Sequence, residues 1–591
     1  MDNNTQQNID VLISELKNLG ADINDPVSKL MAVTLLHQAQ KIKDEIEAIP
    51  TRIVERLCHT FIPKEMIDAI PAIALVRPSV KAKRDITPHL ISDGCYFAYK
   101  IDHKQNLAYY PLCKTLLLPY GKSYLMTPSG LRTNESFTQI QFGKKGQVWL
   151  GLEISTEIEN LENSTFLIKG TNGVLPQKIS VCSSSTELMF ASADNLNSLV
   201  MAEPFDSQQM TPNNITFISH WQNILSQSES GRLIYITDSV NDRDLFKCKA
   251  YPKVFQQSLE SADLDRFGEN TLWLRFDFGE EYEIPDSIEI IPNVVPVVNV
   301  NVNTVTLTQS SPISKLTKND GSYFLTVLET PLSLQRQGFN VNEEDFVIRD
   351  FDARSYNPEN LIKDVRNLYN HFIEDYYAFV EYHGLKDGEL VRSLRETINK
   401  IGKSVMANTD GQNRFDEGVY AMRNIKLIGQ NAPVKVSYLT TMGRKGNLPK
   451  ASQVMENKKD AALDKDVVIV CSAKGGEDRA TADQLYELLR YFTLTSDRLY
   501  TKMDIDAFLR LQIIKEFGKE EAKRITCQIN IEGAAGQTKL QRGLYIDISF
   551  KDSKNYQKAL SMALDRKLRQ QIIDKSCISM PISVRLEYSA S

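Results

Sequence analysis

Histidine is scarce in this chain of 591 residues, with seven in all. So few imidazoles argue against a histidine-rich metal centre or proton relay. Cysteine is sparse and scattered: Cys58, Cys95, Cys113, Cys182, Cys248, Cys471, Cys527 and Cys577, with no CxxC pair. That spacing excludes a compact zinc site of paired cysteines and argues against a disulfide framework. It fits reduced, mostly buried thiols in a cytoplasmic protein. No apolar run approaches the ~18–20 residues that cross a bilayer, so no membrane insertion is expected. The opening stretch MDNNTQQNID has neither a basic region nor an apolar one, and no secretory signal is read there. A net charge of −6 is mild and gives no electrostatic reason to expect nucleic acid as a partner.

Catalytic signatures are missing as well. Gly121-Lys122-Ser123 and Gly402-Lys403-Ser404 both end like a phosphate-binding loop. The leading glycine of that motif falls on Leu116 and Thr397, so both fail and no phosphate cradle is expected. The sequence holds no HExxH, no GxSxG and no calcium-binding EF-hand loop. Asp263, Asp265, Glu280 and Glu281 could supply a carboxylate pair for glycoside cleavage, but acids in β-protein loops are usually solvated. Lys81-Ala82-Lys83-Arg84 lacks interleaved aromatics and reads as a solvated loop. Gly475-Gly476 reads as a turn before a helix. No catalytic residue, metal ligand or cofactor is expected.

What the chain does have is length and texture. It is too long for one core and suggests three to five domains, each of ~100–200 residues. Hydrophobic content of 42% is enough to fill them. The texture predicts a multidomain α+β protein with four regions. Residues 1–70 form a helical arm, 71–345 a β-rich middle of two subdomains, 346–430 a helical segment, and 431–591 an α+β domain.

In the arm, Met31, Leu35, Ala39, Ile42, Ile46 and Ile49 step by 4, 4, 3, 4 and 3. This is close to the heptad stripe of a helix lying along another helix. The plain reading packs the stripe on its own domain; the sharper one places it in a bundle with other chains. The arm then meets FIPKEMIDAIPAIALVRP, residues 61–78, where Pro63 and Pro71 bracket a short amphipathic turn before an apolar run.

The middle region alternates Val, Ile, Thr, Phe and Tyr between turn residues, as at 147–154, 232–237 and 323–328. Ile291–Leu307, IPNVVPVVNVNVNTVTL, alternates Val and Asn and then changes phase. A bulge near Asn303–Thr304 in a half-buried edge strand would account for the slip. Asn357-Pro358-Glu359 caps a helix with an apolar stripe from Leu361 to Phe379, and Gly384 and Gly388 separate it from a second. Polar stretches 408–418 and 445–466 read as loops. The tail predicts helices at 483–492 and 503–516, strands at 525–531, 544–550 and 582–588, and one long helix over 553–573.

Two sets of motifs resemble known families. Asp25-Pro26-Val27-Ser28-Lys29-Leu30, Ile49-Pro50, Phe61-Ile62-Pro63 and Ala69-Ile70-Pro71-Ala72-Ile73-Ala74-Leu75-Val76 resemble the N-terminal arm of TssF, a baseplate component of the bacterial type VI secretion system. Pro296-Val297-Val298-Asn299-Val300, about 220 residues on, is similar to the PVVNLF stretch of that family and departs from it at Asn301. Val436-Ser437-Tyr438, Gly443 and Gly446-Asn447-Leu448-Pro449 resemble the baseplate J family of contractile-phage wedge proteins. So do Lys474-Gly475-Gly476-Glu477-Asp478 followed by Arg490, and Asp497-Arg498, Tyr500-Thr501 and Asp504.

The resemblance implies a structural, non-enzymatic wedge subunit in the bacterial cytoplasm, in a baseplate docked at the inner-membrane complex. It implies assembly with a TssG-like protein, a second copy of this chain, TssK and TssE around a VgrG hub. Such wedges hold the sheath extended until contraction. Under it the stripe from Met31 to Ile49 becomes an inter-subunit bundle, and the two prolines set the angle at which the arm leaves the body. Other readings are the baseplate of a phage tail-derived injection particle, a cytosolic enzyme with its site in residues 90–285, and a β-rich glycan-binding module.

Overall fold

The apolar run 72–76 becomes strand β1 (Ile73–Arg77), with its first four residues buried. The computed structural model describes residues 53–328, 346–351, 433–533, 542–577 and 580–589 apart from short stretches inside the first range, the longest being 206–220. It also describes the strand Gly418–Arg423 and scattered helical positions between 366 and 403. The stripe Met31, Leu35, Ala39, Ile42, Ile46 and Ile49 lies outside the described residues, as do most of the helices expected over 357–402. The architecture is α+β, and it divides into two compact units.

The first unit takes residues 68–351 and 417–479. Its centre is a closed six-stranded barrel. To β1 are added β2 (Tyr96–Asp102), β3 (Gln105–Pro111), β4 (Val295–Asn299), β5 (Val454–Lys458) and β6 (Asp466–Lys474), in the spatial order β1-β4-β3-β2-β5-β6. Every pairing is antiparallel, and β1 closes the ring against β6 through a register shift near Leu75. Ala74, Val76, Phe97, Leu107, Tyr109, Val297, Met455 and Ile469 fill one core. Ile73, Leu75, Tyr110 and Val298 alternate with them along the same strands. They join a second core with Leu167, Leu233 and Tyr235. A strand between two cores needs apolar residues on both faces, which is why AIALV is unbroken.

The strands of Leu167, Leu233 and Ile290 belong to a four-stranded sheet, and its far face packs on a seven-stranded sheet. Phe166, Ile168 and Ile234 from one sheet meet Leu150, Leu274 and Phe276 from the other, as in a sandwich. Beyond the larger sheet, Trp149 and Trp273 pack edge-on against Phe255. Residues 90–285 are therefore largely sandwich, and Asp265, Glu280 and Glu281 are exposed on it.

The chain leaves the barrel along β4 and re-forms at once as strand Asn301–Leu307 in another, three-stranded sheet with Val434–Thr441 and Tyr323–Leu328. The change of phase therefore falls at Val300, not near Asn303–Thr304. β4 is buried throughout, whereas Asn301–Leu307 alternates and leaves Val302 exposed. The slip marks the passage from a doubly buried wall to a half-buried sheet. The stretch 445–466, expected as loop, contains β5, whose Met455 fills the barrel. One buried residue in a polar strand is a weak periodic signal.

The second unit takes residues 1–67, 352–416 and 480–591. Its sheet has β7 (Ile525–Gly533), β8 (Arg542–Phe550) and β9 (Ile582–Tyr588), with β7 antiparallel and β9 parallel to β8. Helices α1 (Ala482–Thr495), α2 (Lys502–Phe517), α3 (Ser553–Ser561) and α4 (Leu564–Lys575) belong to the same unit. Cys58, Ile62 and Ile67 join Leu488, Tyr491, Phe508, Ile546 and Leu568 in one core. The single long helix expected over 553–573 is two helices. Ala563 adopts φ of 46° and breaks the ladder, which lets Leu564, Leu568 and Ile572 re-aim at the sheet. Among the described residues no helix is long and apolar enough to cross a membrane, and no three His, Cys, Asp or Glu are grouped to hold a metal. None of the eight cysteines forms a disulfide.

One carboxylate pins the rim of the barrel. Asp460, which is 4% exposed, lies 2.9 Å from His89 Nε2 and accepts the N–H groups of Ser92 and Ala462 at 3.0 Å each. Burial pushes its carboxyl up, but these hydrogen bonds outweigh burial and hold it below the ordinary carboxylate range. A carboxyl depressed on folding stabilises above its unfolded value, and that contribution is lost as pH falls toward the folded one. Asp460→Asn should therefore lower stability near neutrality and flatten the fall in stability on acidification. Urea unfolding at about pH 6 and about pH 3 reads both effects; parallel loss at the two pH values would contradict it.

Candidate functional site

Four of the singled-out stretches come together where β4 ends. They are 69–76, 296–300, Gly443 with 446–449, and 474–478, and Asn299 lies at their centre with no exposure at all. An amide in a fully buried strand must find partners on every side. Its backbone N–H donates to Ala72 O at 2.8 Å. Its Nδ2 donates to Ala108 O on β3 at 3.0 Å. Its Oδ1 accepts the Met442 N–H at 3.2 Å and lies 3.3 Å from Thr441 Oγ1, which also donates to Asn299 O at 2.8 Å. One side chain thus ties β4 to β3 and to the end of strand Val434–Thr441, and the N–H beside it ties in the start of β1.

The glycines of the next stretch form a second layer. Gly443–Asn447 is a short 3-10 helix seated on Asn299. A Cβ on Gly446 would lie 2.8 Å from Asn299 Oδ1 and 3.0 Å from the Ala72 methyl. A Cβ on Gly476 would strike Gly443 O and the same methyl. Gly443 has φ of +54° and no room for a side chain against Asp478. All three glycine positions and the alanine must stay small for three chain segments to meet.

Polar groups lock that contact. Asn447 Nδ2 donates to Gly476 O at 2.8 Å, and Gly476 N–H returns a bond to Asn447 Oδ1 at 2.9 Å. Asp478 Oδ1 accepts the Arg444 N–H at 2.8 Å. Ile70 and Glu477 exchange backbone bonds of 2.9 and 3.0 Å. Tyr109, buried in the barrel, donates its hydroxyl to Gly446 O. Burial and, less, Tyr99 hold that phenol well above its ordinary pKa, so it remains a donor.

The motif glycines therefore face protein atoms. A ligand-cradling loop turns its N–H groups toward an open cavity, whereas the N–H groups of Gly443 and Gly476 are spent on Thr441 and Asn447. The Gly475-Gly476 pair is a turn, as its spacing suggested, with Gly475 at φ of +80°.

Other singled-out residues lie in the second unit. Thr501 caps α2, where its Oγ1 accepts Asp504 N–H and Asp504 Oδ2 accepts the N–H groups of Thr501 and Tyr500. The Tyr-Thr-x-x-Asp spacing is thus a capping box. Asp497 accepts the Tyr491 hydroxyl at 2.8 Å and pairs with Lys575. Arg490 is exposed, 3.9 Å from Glu487. Sequence reasoning missed Asn299 as a centre; the signal was an amide inside the run Val294–Val300. It also missed the pairing of His89 with Asp460, which carries no local pattern.

The chain resembles two solved assemblies along most of its length. It aligns with a chain of the type VI secretion system TssK-TssF-TssG baseplate subcomplex at 10% identity and a TM-score of 0.38, over 95% of this chain and 96% of that one. With a chain of the type VI secretion baseplate complex the values are 10% and 0.31, over 96% and 91%. Likeness at this level fixes neither a shared fold nor a family. No family model and no curated protein matches the sequence.

The packing at Asn299 makes a graded prediction. Gly446→Ala should cost about 1–3 kcal/mol by overpacking, and Asn299→Ala about 3 kcal/mol by orphaning buried groups. Gly121→Ala, with nothing within 4 Å of its Cβ, should stay within about 0.5 kcal/mol. Denaturant midpoints of the three variants test the order; a Gly446→Ala protein as stable as Gly121→Ala would contradict it.

Proposed function

We propose that this protein is a structural wedge subunit of a type VI secretion baseplate, divergent from TssF. The observation that carries the reading is the convergence at Asn299. Stretches that resemble TssF, at 69–76 and 296–300, and residues that resemble baseplate J, at Gly443, 446–449 and 474–478, build one buried node. The two sets of stretches lie up to 409 residues apart in the sequence (69 to 478). Unrelated coincidences of sequence have no reason to fold onto the same amide. A motif set spent on packing also suits a load-transmitting subunit better than an enzyme.

On this reading the chain assembles with a TssG-like protein, a second copy of itself, TssK and TssE around a VgrG hub, in the cytoplasm. The stripe Met31, Leu35, Ala39, Ile42, Ile46 and Ile49 contributes to an inter-subunit helical bundle, and the four regions proposed from sequence are its parts. The baseplate of a phage tail-derived particle shares the same architecture and is told apart by its partners.

A mild pull-down of the tagged full-length chain from its own host, with mass spectrometry, tests the assignment. Co-recovery of TssG-, TssK- and TssE-like proteins is expected, and Leu35→Asp with Ile42→Asp should abolish it while the barrel remains folded. Recovery of the chain alone, or unchanged assembly by the double variant, would overturn the reading or its bundle respectively.

A further inference from the structure

Among the described residues, the sheet of the second unit ends on a long strand, β7. Among the described residues, β7 pairs only with β8, along all nine of its residues and without a register shift. It contains no proline and no bulge, the usual devices that protect an edge. Among the described strands of this length, β6 is sealed in the barrel and β8 is central.

The backbone polarity of this edge follows from its neighbours. Leu544 N–H donates to Pro581 O at 2.9 Å, and Phe550 O accepts Ser589 N–H at 3.1 Å. Even-numbered backbone groups of β8 therefore face β9, and its odd-numbered ones face β7. In the register Asp547↔Gln528, this sends the ladder bonds through Thr526, Gln528, Asn530 and Glu532. The N–H and C=O groups of Ile525, Cys527, Ile529 and Ile531 are left pointing outward. Ile531 is also 56% exposed, at the end of a row whose other members reach the core.

The sequence of this edge complements itself. Antiparallel pairing about Gln528 sets Ile525 opposite Ile531 and Cys527 opposite Ile529, all with outward-facing backbone groups. It sets Thr526 opposite Asn530, a pair that occurs twice by symmetry. Cross-strand partners are thus apolar with apolar and polar with polar.

We propose that β7 is a homodimerisation edge, pairing with β7 of a second copy about Gln528 to make a continuous six-stranded sheet. This names a surface for the self-association included in the wedge reading, but it rests on the geometry of the edge and stands or falls separately from the TssG- and TssK-like partners.

Light scattering on the purified full-length chain at micromolar concentration should give twice the chain's mass. Ile531→Pro removes an outward N–H and no ladder bond, so it should give monomer with an unchanged melt. Gln528→Cys should form a covalent dimer under mild oxidation, because facing residues of a non-hydrogen-bonded pair lie about 4.5 Å apart at Cα, within disulfide reach. A monomeric wild type, or a dimer that Ile531→Pro leaves intact, would overturn the proposal. A dimer that Ile531→Pro dissolves but Gln528→Cys fails to cross-link would overturn its register. Partner recovery from the host with a monomeric wild type would sink the edge and spare the wedge assignment.

Discussion

A buried amide at the end of β4 sets the terms for the first unit. Asn299 has no water to fall back on, so each of its groups must be met by protein. The partners come from β1, β3 and the Thr441–Met442 corner, which the chain delivers from three distant stretches. Because the partners are backbone groups, the amide specifies where those backbones lie. The barrel closes, and the strand beyond Val300 departs into another sheet, from one shared point.

Small residues follow from that constraint. Gly443, Gly446, Gly476 and Ala72 stand where three segments approach within van der Waals distance. Their sequence punctuation looks like that of a ligand loop, but the space they leave is filled by peptide. Tyr109 and the reciprocal Asn447–Gly476 bonds then fix the layer from inside and outside the barrel. A force applied to any of the segments is carried to the others through bonds that are sheltered from water.

Much of the scaffold was legible in the sequence, because periodicity reports burial. Strand Ile582–Tyr588 and strand Tyr323–Leu328 lie where alternation put them, and α1 and α2 extend their expected spans by one to three residues at each end. The unbroken AIALV run announced a strand buried on both faces. Signals failed where local pattern and tertiary role part company. β5 has a polar sequence and one residue in the core, so it reads as loop. Ala563 breaks a helix with a conformation that no local residue demands. Asn299 was noticed among alternating asparagines and inside the Pro296–Val300 stretch but not as a centre, since the groups that make it central lie from 142 to 227 residues away on either side.

Native-state amide hydrogen exchange of the full-length chain tests most directly whether this amide organises the unit. The N–H groups of Asn299, Met442, Gly476 and Glu477 should exchange together, at the opening free energy of the barrel strands and in a single cooperative step. Fast exchange of Met442, Gly476 and Glu477 while β1, β3 and β4 stay protected would contradict the account. The barrel would then stand without the node, and the motifs around it would decorate the fold instead of holding it.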